Sequence, residues 1–144
     1  MTLDQGQAPS DGQLEILLAE DNPVNQRLAE LILGRLGHQL DIVENGAEAV
    51  RAALAKSYAV ILMDVEMPGM DGLEATRQIR AHFGDRERPY IVAMTASGER
   101  AQCLAAGMDD YLRKPVRTAD LAEMVERALA VAADWRSQQH FRRD

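Results

Sequence analysis

Four short apolar runs in this 144-residue chain lead into residues that can do chemistry. Ile16 to Ala19 is followed by Glu20 and Asp21, Ala59 to Met63 by Asp64, and Ile91 to Met94 by Thr95, while Tyr111 to Leu112 leads to Lys114 and Pro115. If the runs are parallel strands, these residues share one edge of a sheet, beyond the carboxyl ends, where open α/β sheets bind their ligands. Three carboxylates within about 4 Å of one another would repel by roughly 4 kcal/mol per pair at an effective dielectric near 20. Lys114 supplies only one compensating charge. A hard divalent cation fits the rest, and Mg²⁺, which keeps several waters and takes one or two carboxylates, fits best. Asp64 ends the most apolar run; beside a cation it stays ionised and able to attack phosphorus. The resulting acyl phosphate needs a metal, a fixed ammonium and a hydroxyl donor, the parts that Asp21 (through Mg²⁺), Lys114 and Thr95 offer.

The elements that must position these groups are legible from hydrophobic period. Candidate strands are Glu15 to Ala19, Gln39 to Val43, Ala59 to Met63, Tyr90 to Met94 and Tyr111 to Leu112. Between the first two, Val24, Leu28, Leu31, Ile32 and Leu36 predict an amphipathic helix, with Pro23 near its start and Gly37 ending it. A second helix follows Asn45 and Gly46 and carries Ala47, Val50 and Leu54, and a third opens at Gly72 with Ala75, Ile79 and Phe83 on one side. The last helix has the clearest stripe, formed by Leu121, Met124, Val125, Ala128, Leu129 and Ala132. Strand and helix alternating in this way predict an α/β fold: a doubly wound, five-stranded parallel sheet of flavodoxin-like order 2-1-3-4-5 with helices on both faces. Residues 1–13, rich in Gly, Gln, Ser, Asp and Pro, are expected to be a flexible leader, 14–133 the folded domain, and 134–144 a solvated tail.

Composition removes several function classes. The charge of −7 leaves no basic field to neutralise phosphate backbones, so direct nucleic-acid binding is disfavoured. The longest apolar runs, Tyr58 to Met63 and Ala128 to Ala133, are far short of the ~20 residues of a membrane span. The start of the chain lacks the basic and apolar regions of a secretory signal, so a cytoplasmic location is expected. Cys103 stands alone, and His38, His82 and His140 are far apart in sequence, which argues against disulfide and zinc chemistry.

Four segments together resemble the response-regulator receiver domain: Leu17 to Pro23 (LLAEDNP), Ile61 to Gly72 (ILMDVEMPGMDG), Val92 to Ala96 (VAMTA) and Ala106 to Pro115 (AGMDDYLRKP). Their joint order is far harder to meet by chance than any one motif. The resemblance covers about residues 14 to 133. It implies that Asp64 accepts a phosphoryl group from a phosphohistidine, on a histidine kinase or a histidine phosphotransfer protein. Asp21, Asp64 and the backbone carbonyl of Glu66 would bind Mg²⁺, with Glu20 acting through a water. Thr95 and Lys114 would hold the phosphoryl oxygens, and Tyr111 would be the switch aromatic that turns inward when Thr95 is drawn to the phosphoryl group. It further implies a cis peptide before Pro115. Asn22, Pro23 and Asn25 are similar to receivers attached to hybrid histidine kinases. With nothing left past the fifth helix for an output domain, the expectation is a stand-alone receiver or one excised from a larger kinase.

The resemblance implies a phosphorylatable switch rather than an enzyme, one expected to catalyse only its own phosphorylation and slow dephosphorylation. The segment from Thr95 to Lys114 is a few residues shorter than is usual in the family, which leaves about two turns for a fourth helix near Glu99 to Ala106. Contacts through that helix and the fifth strand, with a partner or in a homodimer, are therefore expected to depart from the usual mode. The rival from another class is a Mg²⁺-dependent aspartate-nucleophile phosphatase. That enzyme carries a second aspartate two positions on, where this chain has Glu66, and needs length for a cap. As a plainer alternative, Glu20 and Asp21 could merely cap the first helix.

Overall fold

The computed structural model describes residues 14–84, 88–97 and 99–142; the expected leader, 1–13, lies outside them. Ten elements alternate: β1 (Ile16–Ala19), α1 (Pro23–Arg35), β2 (Leu40–Val43), α2 (Gly46–Ala55), β3 (Val60–Asp64), α3 (Gly72–Phe83), β4 (Tyr90–Thr95), α4 (Arg100–Ala106), β5 (Asp110–Arg113) and α5 (Thr118–Arg142). The strands form one five-stranded sheet in the order β2-β1-β3-β4-β5, and every pairing is parallel. This is the flavodoxin-like arrangement expected from the alternation of strand and helix.

Because side chains alternate along a strand, the sheet divides its residues between two cores. Ile16, Leu18, Val60, Leu62 and Val92 point toward one face, where they pack with Leu33 of α1 and Val125 and Ala128 of α5. Leu17, Ile61, Met63 and Ile91 point to the other and pack with Ala49 of α2, Ile79 of α3 and Cys103 of α4. The central strands β1, β3 and β4 are buried along their whole length, whereas the edge strands β2 and β5 are only partly covered. All six residues of the α5 stripe are buried, as are Ala75 and Ile79 on α3.

Two helices turn a different face to the sheet from the one their larger apolar residues suggest. On α1 the buried residues are Ala29, Ile32 and Leu33; Val24 is 73% exposed, Leu28 and Leu31 are each 46% exposed, and Leu36 is 43% exposed. On α2 the buried set is Gly46, Ala49 and Ala53, with Leu54 turned outward. On α2 the buried residues are all small, whereas on α1 Ala29 shares the buried face with Ile32 and Leu33. The last helix also differs: α5 continues to Arg142, through most of the segment expected to be tail. Its extension is held where Trp135 packs on Tyr90 at a ring separation of 5.5 Å, with the Arg88 guanidinium 4.3 Å from the indole ring.

Candidate phosphoryl-acceptor site

Strand register assembles the site. Ala19 of β1 is level with Met63 of β3, so the residues that follow, Glu20 and Asp64, leave the sheet side by side. Asp64 pairs with Met94, which sets Thr95 one residue beyond it on β4; Thr95 in turn pairs with Arg113, which places Lys114 next on the far side. Backbone hydrogen bonds fasten these exits: the Glu20 N–H donates to the Val43 carbonyl (3.0 Å), the Val65 N–H to the Met94 carbonyl (2.9 Å) and the Lys114 N–H to the Thr95 carbonyl (2.8 Å). The Lys114–Pro115 peptide is cis, as the resemblance implied.

One carboxylate oxygen each from Glu20, Asp21 and Asp64 lies within 4.8 Å of the other two. Glu20 and Asp64 are almost fully buried, at 2% and 1% exposure, and Asp21 faces solvent. Helix capping does not consume these groups, because the α1 cap is Asn22, whose Oδ1 accepts from the N–H groups of Val24 (2.8 Å) and Asn25 (3.1 Å). Glu20 spends one oxygen on the Asn22 N–H (3.0 Å). The Lys114 ammonium stands 2.9 Å from Asp64 Oδ2 and 3.4 Å from Glu20 Oε1. Its approach to Oδ2 is that of an ion pair rather than a directed hydrogen bond, and this buried oxygen has no hydrogen-bond partner among the described residues.

The electrostatics follow from burial. Desolvation pushes the Asp64 carboxyl up to about 6, and the Glu20 charge adds to the rise; Lys114 and the Glu66 N–H, which donates to Asp64 Oδ1 at 3.0 Å, oppose it without cancelling it. Burial works against the Lys114 ammonium, but the Asp64 and Glu20 carboxylates outweigh it and hold its pKa above the usual lysine value. One lysine among three carboxylates leaves the cluster short of positive charge. An all-oxygen donor set with this excess of negative charge suits a hard divalent cation.

Thr95 is buried at the end of β4, but its hydroxyl donates to the Glu66 side chain, with Oγ1 2.6 Å from Oε2. Glu66 Oε1 also accepts from the Ala96 N–H (3.1 Å), and Oε2 lies 3.2 Å from Ser97 Oγ. These bonds outweigh the cost of burial and lower the Glu66 pKa. Tyr111 is half-buried on the edge strand β5, packed against the core shared by α2, α3 and α4. The structure thus brings Glu20, Asp21, Asp64 and Lys114 together, with Thr95 and Glu66 joined beside them and Tyr111 farther out on the sheet edge. The Glu66 side chain and Ser97 were not singled out from the sequence; the signal available was a long acceptor two residues after Asp64 and a hydroxyl two residues after Thr95.

The profile of the family described as "Response regulator receiver domain" matches residues 16–126. The chain belongs to that family. Among curated relatives, "Probable histidine kinase 1" of Oryza sativa subsp. indica is 40% identical across 85% of this chain but only 16% of its own length. The chain spans less than a fifth of the curated relatives it matches first. Among solved structures, the receiver domain of sensor histidine kinase PA1611 from Pseudomonas aeruginosa PAO1 superposes with a TM-score of 0.72 at 45% identity, covering 81% of this chain and 98% of that one. That receiver has a magnesium ion coordinated in its active-site cleft. A chain of the co-crystal structure of the Saccharomyces cerevisiae histidine phosphotransfer protein Ypd1 with the Ssk1 receiver domain matches with a TM-score of 0.73 at 30% identity, covering 77% of this chain and 85% of that one. Membership makes this receiver domain a phosphoryl-accepting signalling switch, and the phosphatase alternative is not favoured.

Proposed function

We propose that Asp64 is the phosphoacceptor of a phosphorelay, taking its phosphoryl group from a phosphohistidine. The observation that carries this reading is the buried Asp64 carboxylate set between two further carboxylates and one lysine. In the transfer, an Asp64 oxygen forms the new bond to phosphorus as the phosphorus–nitrogen bond breaks, and the imidazole leaves with that electron pair. The Lys114 ammonium is close enough to neutralise charge on the incoming oxygens. Asp21, Asp64 and the Glu66 carbonyl would hold Mg²⁺, with Glu20 acting through a water. When bound, the ion offsets the negative charge of the carboxylates and of the phosphoryl group. Thr95 and Tyr111 form the switch, the hydroxyl moving to the phosphoryl oxygens and the ring following.

The reading places this receiver, residues 14–133, in the cytoplasm within or beside a hybrid histidine kinase, exchanging phosphoryl groups with a kinase or phosphotransfer protein. No helix among the described residues is long and apolar enough to cross a membrane. It acts as a switch and not as an enzyme on free esters. Acetyl phosphate should therefore label the chain to about one phosphoryl group per molecule, read by intact mass, with Mg²⁺ required. Sustained turnover of an added phosphate ester would overturn the reading in favour of a phosphatase. Lys114→Ala should still label but should lose the displacement of the Tyr111 ring resonances that phosphorylation produces in the parent chain.

The face that meets the phosphodonor is beside the site. A groove of about 360 Å³ runs from Glu20 and Lys114 between Leu28 and Ile32 of α1 and Pro115 and Leu121. Because it shares Glu20 and Lys114 with the site, a protein that delivers a histidine to Asp64 covers it, and the outward Val24, Leu28 and Leu31 extend the same apolar surface. Leu28→Glu should slow transfer from a phosphohistidine protein by about tenfold or more, the usual size of an interface hot spot. Labelling by acetyl phosphate, which needs no docking surface, should change less than about twofold. Equal loss with both donors would remove the docking role.

A further inference from the structure

We infer that the Glu66 side chain is a latch that holds Thr95 and the segment after β4 in the unphosphorylated arrangement, and that its release sets the threshold for switching. The inference rests on the receiver reading of Asp64 and concerns how that same site is regulated. A threonine hydroxyl has a single proton to donate. Here that proton goes to Glu66 Oε2 at 2.6 Å, while Thr95 Oγ1 accepts from the Ser97 N–H at 3.2 Å. The hydroxyl cannot also donate to a phosphoryl oxygen on Asp64 without breaking the bond to Glu66. The other contacts reinforce the latch: Oε1 takes the Ala96 N–H, Oε2 lies within reach of the Ser97 hydroxyl, and that hydroxyl lies 3.2 Å from Thr95 Oγ1. One carboxylate thus fastens three consecutive residues at the exit of β4.

The backbone of the same residue is tied to the phosphoacceptor, its N–H donating to Asp64 Oδ1 at 3.0 Å. Phosphorylation replaces the single charge of the Asp64 carboxylate with a phosphoryl group carrying close to two, a net gain of about one negative charge. That charge repels the Glu66 carboxylate and attracts the Thr95 proton, so both effects act on one hydrogen bond in the same direction. A charge-assisted bond is about twice as strong as a neutral one, and its loss is subtracted from the stability of the phosphorylated state. Glu66 is therefore a positioning residue, acting through Thr95 rather than on phosphorus.

Beryllofluoride, a phosphoryl mimic, tests this by calorimetric titration in saturating Mg²⁺. In Glu66→Ala the half-saturating concentration should fall about tenfold, the size of one charge-assisted hydrogen bond. In Glu66→Gln, whose amide oxygen still accepts from Thr95 without the charge, the fall should be smaller. With Thr95→Ala already in place, Glu66→Ala should bring a clearly smaller gain, because the latch has lost its donor and only the charge repulsion is left to relieve. Unchanged or weaker beryllofluoride binding in Glu66→Ala, or an equal gain in the Thr95→Ala background, would overturn the latch. A merely structural role predicts weaker binding, the opposite sign. Failure of the unmodified chain to bind beryllofluoride at all would instead sink the receiver reading, and the latch with it.

Discussion

Asp64→Asn is expected to abolish labelling by acetyl phosphate while making the metal-free protein more stable near neutral pH by about 1–3 kcal/mol. The first effect follows because an amide oxygen is a poor nucleophile and carries no charge to hold a cation. The second follows from linkage. Burial, with Glu20 adding to it, raises the Asp64 pKa from 3.8 to about 6, so the folded state binds its proton more tightly than the unfolded chain does. A raised carboxyl costs the fold nothing while it is protonated in both states. The cost grows as pH climbs from the unfolded value through the folded one, and it is fully expressed above about 6. Asparagine removes that penalty, and Lys114 keeps Glu20 as a partner at 3.4 Å.

Urea unfolding at about pH 5 and about pH 7.5, in chelator and in Mg²⁺, separates these contributions. The advantage of the variant should be larger at the higher pH in chelator and should shrink in Mg²⁺, which stabilises only the parent chain appreciably. A variant no more stable than the parent in chelator at the higher pH would mean that Lys114 already compensates Asp64 fully. Labelling of the variant to parental stoichiometry would place the acceptor elsewhere.

The site was more legible in the sequence than the packing around it. Glu20, Asp64, Thr95 and Lys114 each follow an apolar run, and a parallel sheet delivers the ends of such runs to one edge whatever the helices do. Helix faces are a harder problem. Helix α1 is apolar on more than one side, and of its expected stripe only Ile32 is buried, together with Ala29 and Leu33, while Val24, Leu28, Leu31 and Leu36 are exposed. On α2 the buried residues, Gly46, Ala49 and Ala53, each stand one position before the expected Ala47, Val50 and Leu54. The short α4, seven residues from Arg100 to Ala106, followed directly from the few residues available between Thr95 and Lys114. The continuation of α5 past Ala132 depends on Trp135 meeting Tyr90 and Arg88, contacts between segments about 45 residues apart that no local pattern announces. Glu66 was hidden for a related reason: its hydroxyl partner lies 29 residues away on another strand.

Gly72→Ala is expected to destabilise the fold by about 2 kcal/mol, although at a helical position alanine is the better helix former by up to about 1 kcal/mol. Gly72 begins α3, and a Cβ there would stand 2.3 Å from the Asp64 carbonyl oxygen and 2.9 Å from Met63 Cγ. The methionine could yield by changing rotamer; the carbonyl belongs to the strand that carries Asp64 and cannot. Relief therefore requires α3 to lift away or the end of β3 to shift, and Asp64 is that end. The loss should reach function as well as stability, with beryllofluoride affinity falling at least about tenfold, since roughly an ångström of displacement at a reacting group is costly. Gly34→Ala on α1 is the control, because nothing lies within 4 Å of its added methyl group. Propensity acts alone there, so Gly34→Ala should be neutral or stabilising by up to about 1 kcal/mol with ligand affinity intact. Opposite signs at two helical glycines, measured by urea unfolding, would show that contact with the Asp64 backbone is what demands glycine at position 72; a stabilising Gly72→Ala would refute it.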